Sequence, residues 1–200
     1  MNGAPDRKNS DKYRAIIEAA IEVFAEHGYH NARVVKIARA AGVAEGTVYL
    51  YFRNKEDLLV SAFREKMETF TGEVAGRLAE PGGAAEKLRR LVDMHLAGLG
   101  ADFTLALFFQ IHLRQPEEAV HDGIAGPLAR YARLIEGVVE EGMASGEFLP
   151  GLNKKLVRQM IFGAIDEVVS NWVHARGKYS LPGQAGAVSA FLLRGLAGTR

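Results

Sequence analysis

Apolar side chains recur at intervals of three and four residues through almost the whole chain, and no stretch alternates with period two. That spacing predicts amphipathic helices and an all-α fold. Interruptions fall at Gly28, Gly42, Asn54, Glu80 to Gly83, Gln115-Pro116, Gly146, Pro150-Gly151, Gly177 and Pro182-Gly183. Each supplies a cap, a positive φ or a missing backbone donor, and the segments between them number about nine helices. The first helix is expected to start at Ser10 or Asp11, bury Ile17, Ala20 and Phe24, and stop at Gly28. Another opens at Asn54 with Asp57 in a capping-box-like arrangement and carries the stripe Leu59, Phe63, Met67, Phe70, Val74 and Leu78. It reads as a connector from a small N-terminal domain, residues 1–57, into a larger helical one, residues 58–200.

The most specific signal is VVKIARAAGVAEGTVYLYF, residues 34–52. Two short helices that cross steeply need a small side chain at closest approach and a turn residue that tolerates positive φ; Ala38 and Gly42 supply them. Ile37, Ala41, Val43, Val48 and Phe52 are positioned to seal the pair onto the first helix. Glu45-Gly46-Thr47 opens the second helix with polar and small residues, as a helix entering a DNA major groove requires: Gly46 permits close backbone approach and Thr47 can meet a base edge or thymine methyl. Tyr49 and Tyr51 fall near the groove walls. Lys55, at the start of the next helix, can hold a phosphate together with free backbone amides. Any αα-hairpin with a glycine turn shares part of this pattern, and tyrosines at this spacing also occur in cores.

Charge sharpens the picture only locally. The 200 residues carry a net charge of +1, far from the balance of a strongly basic nucleic-acid binder. Between Arg33 and Lys55, however, Arg33, Lys36, Arg39, Arg53 and Lys55 face one acid, Glu45. This is either a phosphate-facing patch or a solvated charged surface. The 48% hydrophobic content suffices for a substantial core. No apolar run reaches the roughly 20 residues of a membrane helix, and the polar start MNGAPDRKNSDK lacks a secretory core, so a cytoplasmic protein without membrane contact is expected. With no cysteine there is no disulfide, thiolate nucleophile or cysteine zinc site.

AGVAEGTVYLYFRNKEDLL, preceded by AAIEVFAEHGYH, resembles the N-terminal domain of TetR-family repressors from about Tyr13 to Leu59. The resemblance implies that Gly46 and Thr47 approach bases, that Tyr49 contacts a base or the backbone, and that Tyr51 and Lys55 contact phosphates. Lys36 joins them as a basic-patch candidate. The family has Thr or Ser before the first helix of the motif, where this chain has Arg33; Asn31 is a substitute cap. The resemblance further implies a variable helical domain that binds an effector and pairs with a second copy on a roughly palindromic operator. Two closing helices, Asn153 to Arg176 and Gln184 to Leu196, carry more apolar surface than one helix side covers, including Leu156, Met160 and Phe191. Pairing them with their symmetry mates would bury it in a four-helix bundle.

The segment Phe103 to Gln115 combines Phe103, Leu107, Phe108 and Ile111 with Arg114, and Phe162, Asp166 and Trp172 could face it. It is either plain core or an apolar cavity suited to a long-chain acid or thioester. YLYFRNKEDLLVSAFREKM, LRQ at 113–115, GEFLPGL and RQMIFGAIDEVVSNWV at 158–173 resemble the FadR-type branch of the family. That branch represses fatty-acid degradation genes and leaves DNA on binding long-chain acyl-CoA. The implied acyl-CoA site takes Phe103, Leu107, Ile111, Arg114, Met160, Phe162 and Trp172, with no metal and no other cofactor. A repressor of an efflux or other catabolic operon that senses a different apolar molecule is the alternative.

An enzyme is disfavoured. The chain lacks Gly-x-Ser-x-Gly, His-Glu-x-x-His, a phosphate loop and Gly-x-Gly-x-x-Gly. His27 and His30 flank the breaker Gly28, His95 and His112 lie on separate apolar helices, and Asp166 and Glu167 point about 100° apart on one helix. No catalytic residue is assigned.

Overall fold

The computed structural model describes residues 11–114 and 117–197, and among these it contains nine α-helices. They are α1 Asp11–Asn31, α2 Val34–Ala40, α3 Glu45–Tyr51, α4 Lys55–Leu78, α5 Ala84–Ala101, α6 Phe103–His112, α7 Glu118–Ser145, α8 Lys154–His174 and α9 Ala185–Ala197, the last preceded by a short 3-10 turn, Pro182–Gln184. Two expectations, a cap at Ser10 and a break at Gln115-Pro116, lie outside the described residues.

Gly28 interrupts α1 with φ 69° and ψ 172°, a conformation open to glycine and strained for other residues. The chain then makes one further turn to Asn31. Ile17, Ala20 and Phe24 are fully buried along the inner face of α1, as their spacing requires. At the start of α4 the Asn54 side chain accepts from the Asp57 amide (2.7 Å). Asp57 returns a bond to the Arg53 amide (2.9 Å) rather than to Asn54, a capping box displaced by one residue. Asn153 caps α8 by accepting from the amides of Lys155 and Leu156. The start of α5 is held from a distance: the Glu147 carboxylate accepts from the Ala84 and Ala85 amides (2.9 and 3.0 Å), and these bonds keep its pKa below the usual carboxylate range.

Two compact units emerge. The first comprises residues 1–66 and 107–126, the second residues 67–106 and 127–200. The expected boundary after residue 57 falls inside continuous α4, and the end of α6 with the start of α7 joins the N-terminal unit. Its reason is aromatic packing: the buried His112 ring lies 5.8 Å from Phe24 and 5.0 Å from Phe108, and Phe63 meets Phe109 edge-on at 4.9 Å. His30 and Glu117 add an ion pair at 2.7 Å.

The second unit has a polar pair at its centre. His95 Nδ1 and the Tyr131 hydroxyl are 2.8 Å apart, with Phe70 and Phe162 packed against both rings. Burial pushes the Tyr131 phenol pKa upward and lowers that of His95 to about 4, only partly countered by the Asp166 carboxylate. A histidine in the unfolded chain titrates near ~6.5, so between roughly pH 6.5 and 4 the unfolded state binds a proton that the native state refuses. Stability therefore falls as pH falls through that window. Urea midpoints measured from pH 7 to pH 5 should decline, and a His95→Leu, Tyr131→Phe double variant should lose about one proton's worth of that slope. An unchanged slope would contradict a neutral, buried His95.

Candidate functional site

The helix pair at residues 34–52 is built as its sequence demands. α2 ends in a Schellman turn: Gly42, at φ 67°, donates to the Arg39 carbonyl (3.2 Å), and Val43 donates to the Ala38 carbonyl (2.9 Å). Ala38 is buried at the crossing. Val48 and Phe52 anchor α3 inward, and Phe52 stacks on Tyr13 at 5.2 Å. Arg33 occupies the N-cap of α2 in extended conformation with no side-chain cap bond. Asn31 is therefore not the substitute cap, because it belongs to the last turn of α1.

With Val48 and Phe52 turned in, α3 leaves Gly46, Tyr49 and Leu50 exposed. Gly46 is exposed, and a Cβ built there would meet nothing within 4 Å, so nothing inside the chain requires glycine at this position. Thr47 is half-buried, and Tyr49 is exposed. Leu50 is 67% exposed, an apolar neighbour of Tyr49 that sequence reasoning passed over although it falls off the Val48–Phe52 stripe. Tyr51 is half-buried, its ring edge-on to Tyr13 at 6.0 Å. Burial and the Glu65 carboxylate push the Tyr13 pKa up to about 12, which keeps the phenol protonated beneath the helix pair. Lys36 is exposed, with its ammonium 3.3 Å from His27 Nε2; Arg33, Arg39 and Arg53 are exposed as well.

Lys55 corrects the sequence reading. Its ammonium is not presented outward to a phosphate but donates to the carbonyls of Tyr29 (2.7 Å), Ala32 (3.2 Å) and His30 (3.3 Å), and lies 4.5 Å from the Tyr29 ring centroid. The physical reason is the end of α1 at Asn31, one turn after the kink at Gly28: carbonyls there lack helical partners, and a lysine has three N–H donors to offer them.

The residues assigned to an effector divide between the units. Leu107 and Ile111, half-buried on α6, and the exposed Arg114 belong to the first. In the second, Phe103 meets Trp172 edge-on at 5.4 Å, and the indole Nε1 donates to the Tyr179 carbonyl (2.7 Å). Phe162 joins the His95–Tyr131 cluster, at 6.2 and 6.4 Å from the two rings. Met160 does not join these aromatics: it is 64% exposed, one helical turn from the exposed Leu156 on the outer face of α8. The partner of His95, Tyr131, lies 36 residues away, where no local sequence pattern points to it. Among the described residues no group of three or more His, Cys, Asp or Glu side chains is placed to hold a metal ion.

Comparison with known proteins gives this geometry a lineage. Residues 16–62 match the bacterial regulatory proteins of the tetR family, and residues 63–195 match the family described as YsiA-like protein, C-terminal region. A Bacillus subtilis protein named fatty acid metabolism regulator protein is 43% identical over 95% of this chain and 98% of its own. The solved structure of the fatty acid degradation regulator FadR from Bacillus halodurans shares 47% identity with a TM-score of 0.88, covering 92% of this chain and 99% of that one. Bacillus subtilis FadR, crystallised in complex with stearoyl-CoA, shares 44% identity with a TM-score of 0.88 and the same coverage. All three are named as regulators, the last of them as a transcriptional regulator. Matched along nearly its whole length by the two models in succession, the chain belongs to the TetR family of bacterial regulatory proteins.

Proposed function

We propose that the protein is a transcriptional repressor of fatty-acid degradation genes that leaves its operator when a long-chain acyl-CoA binds. The observation that carries this reading is identity of 43–47% along nearly the whole chain to regulators of fatty acid metabolism, one of them solved with stearoyl-CoA. The exposed start of α3 supports the DNA-binding half. Gly46 and Thr47 read base edges, Tyr49 and Leu50 lie beside them, and Lys36 and Tyr51 face the phosphates. Lys55 positions the head instead, by tying α4 to the end of α1.

The protein acts as a homodimer through α8 and α9 on a roughly palindromic operator, in the cytoplasm. Support for this pairing comes from Leu156, Met160 and the 74%-exposed Phe191, large apolar side chains that a symmetry mate would cover. No single helix among the described residues is long and apolar enough to cross a membrane. Release requires the effector to favour one state of the protein over the other by about 1–3 kcal/mol. α4 is the element placed to carry that preference, since moving its first turn moves Lys55 and the carbonyls it holds.

The decisive experiment titrates a promoter fragment from the gene's own neighbourhood with the protein, in the presence of palmitoyl-CoA or of free CoA. Specific binding relieved by palmitoyl-CoA but not by CoA is expected; specific binding insensitive to every acyl-CoA would transfer the effector role to another apolar molecule. Lys36→Met should weaken operator binding and reduce its log–log salt slope by about one. Lys55→Met should instead lower the unfolding free energy by about 1–3 kcal/mol, measured in urea, because carbonyls at the end of α1 lose their donor. Met160→Glu combined with Phe191→Glu should yield monomers in sedimentation velocity, and a variant still dimeric would place the interface elsewhere.

A further inference from the structure

Hydroxyls buried in helices ordinarily bond back to a carbonyl one turn earlier, and the second unit contains such a case: Ser189 donates to the Ala185 carbonyl at 2.8 Å. The Tyr131 hydroxyl has His95. Thr71, on α4, breaks this pattern. It is only 9% exposed, and its Oγ1 has no hydrogen-bond partner among the described residues. Met67 sits one turn before it on the same helix, yet Thr71 leaves that turn's carbonyl untouched. The position is the middle of an otherwise apolar buried face formed by Met67, Val74 and Leu78, and the neighbouring Phe70 packs on both His95 and Tyr131. An unpaired buried hydroxyl is destabilising, and valine would fill nearly the same space without that cost.

We infer that Thr71 Oγ1 is the donor for the carbonyl oxygen of the effector's thioester, and so distinguishes an acyl thioester from the corresponding alkyl thioether. This rests on the acyl-CoA reading above. An acyl chain is all hydrocarbon up to its carbonyl, so a single donor within an apolar face has one acceptor to meet there. His95 and Tyr131 are already committed to each other. An alkyl thioether of CoA keeps the chain and the CoA but presents no carbonyl.

The test compares palmitoyl-CoA and S-hexadecyl-CoA by calorimetry on the full-length wild type, Thr71→Val and Thr71→Ser. The wild type should prefer the thioester to the thioether by roughly tenfold, the worth of one hydrogen bond in a dry site. Thr71→Ser should retain that preference, whereas Thr71→Val should bring it to within about twofold and melt no earlier than the wild type without ligand. Parity between thioester and thioether in the wild type overturns the inference even if Thr71→Val fails to fold. So does a preference that survives Thr71→Val. Failure of the wild type to bind either CoA derivative would overturn the effector reading itself, and this inference with it.

Discussion

The N-terminal unit depends on how its first helix stops. Gly28 kinks α1, one further turn closes it at Asn31, and the carbonyls of Tyr29, His30 and Ala32 at that end converge on one ammonium, that of Lys55. The bond set ties residues 29–32 to the first turn of α4, and α2 and α3 hang between these two fixed points. Because α2 and α3 have only seven residues each, neither is long enough to persist alone. Their geometry is borrowed from the frame that Lys55 closes. Tyr13 completes it from beneath, stacked on Phe52 and edge-on to Tyr51.

The second unit uses polarity differently. His95 and Tyr131 satisfy each other in a fully buried position, ringed by Phe70 and Phe162, and burial keeps both neutral. A neutral hydrogen-bonded pair imposes far less desolvation cost than a charge would, while still fixing which faces of α5 and α7 meet.

What the sequence made legible is what depends on neighbours in the sequence. The Schellman turn at Ala38, Arg39 and Gly42 is complete within six residues, and the inward Val48 and Phe52 are one turn apart, so a single reading of α2 and α3 found both. Lys55 was misread because its partners lie 23 to 26 residues upstream and bind through backbone oxygens, which have no sequence identity. Arg33 stands at an N-cap it does not chemically cap, leaving no signal for the boundary. Met160 follows the apolar periodicity of α8, and periodicity alone does not say whether an apolar face meets the chain's own core or a second copy. The joining of residues 107–126 to the head rests on His112 and Phe108 meeting residues far away in the sequence, beyond the reach of any local pattern.

Trp172 is the chain's single tryptophan. It is 5% exposed, hydrogen-bonded through its indole nitrogen, and in edge contact with Phe103 within the second unit. Red-edge excitation, which spares the six tyrosines, therefore gives emission from one site in the second unit, with no indole in the first to dilute it. The colour and polarisation of that light report on the surroundings of a single ring. The protein thus carries its own optical gauge of the second unit, silent toward the first.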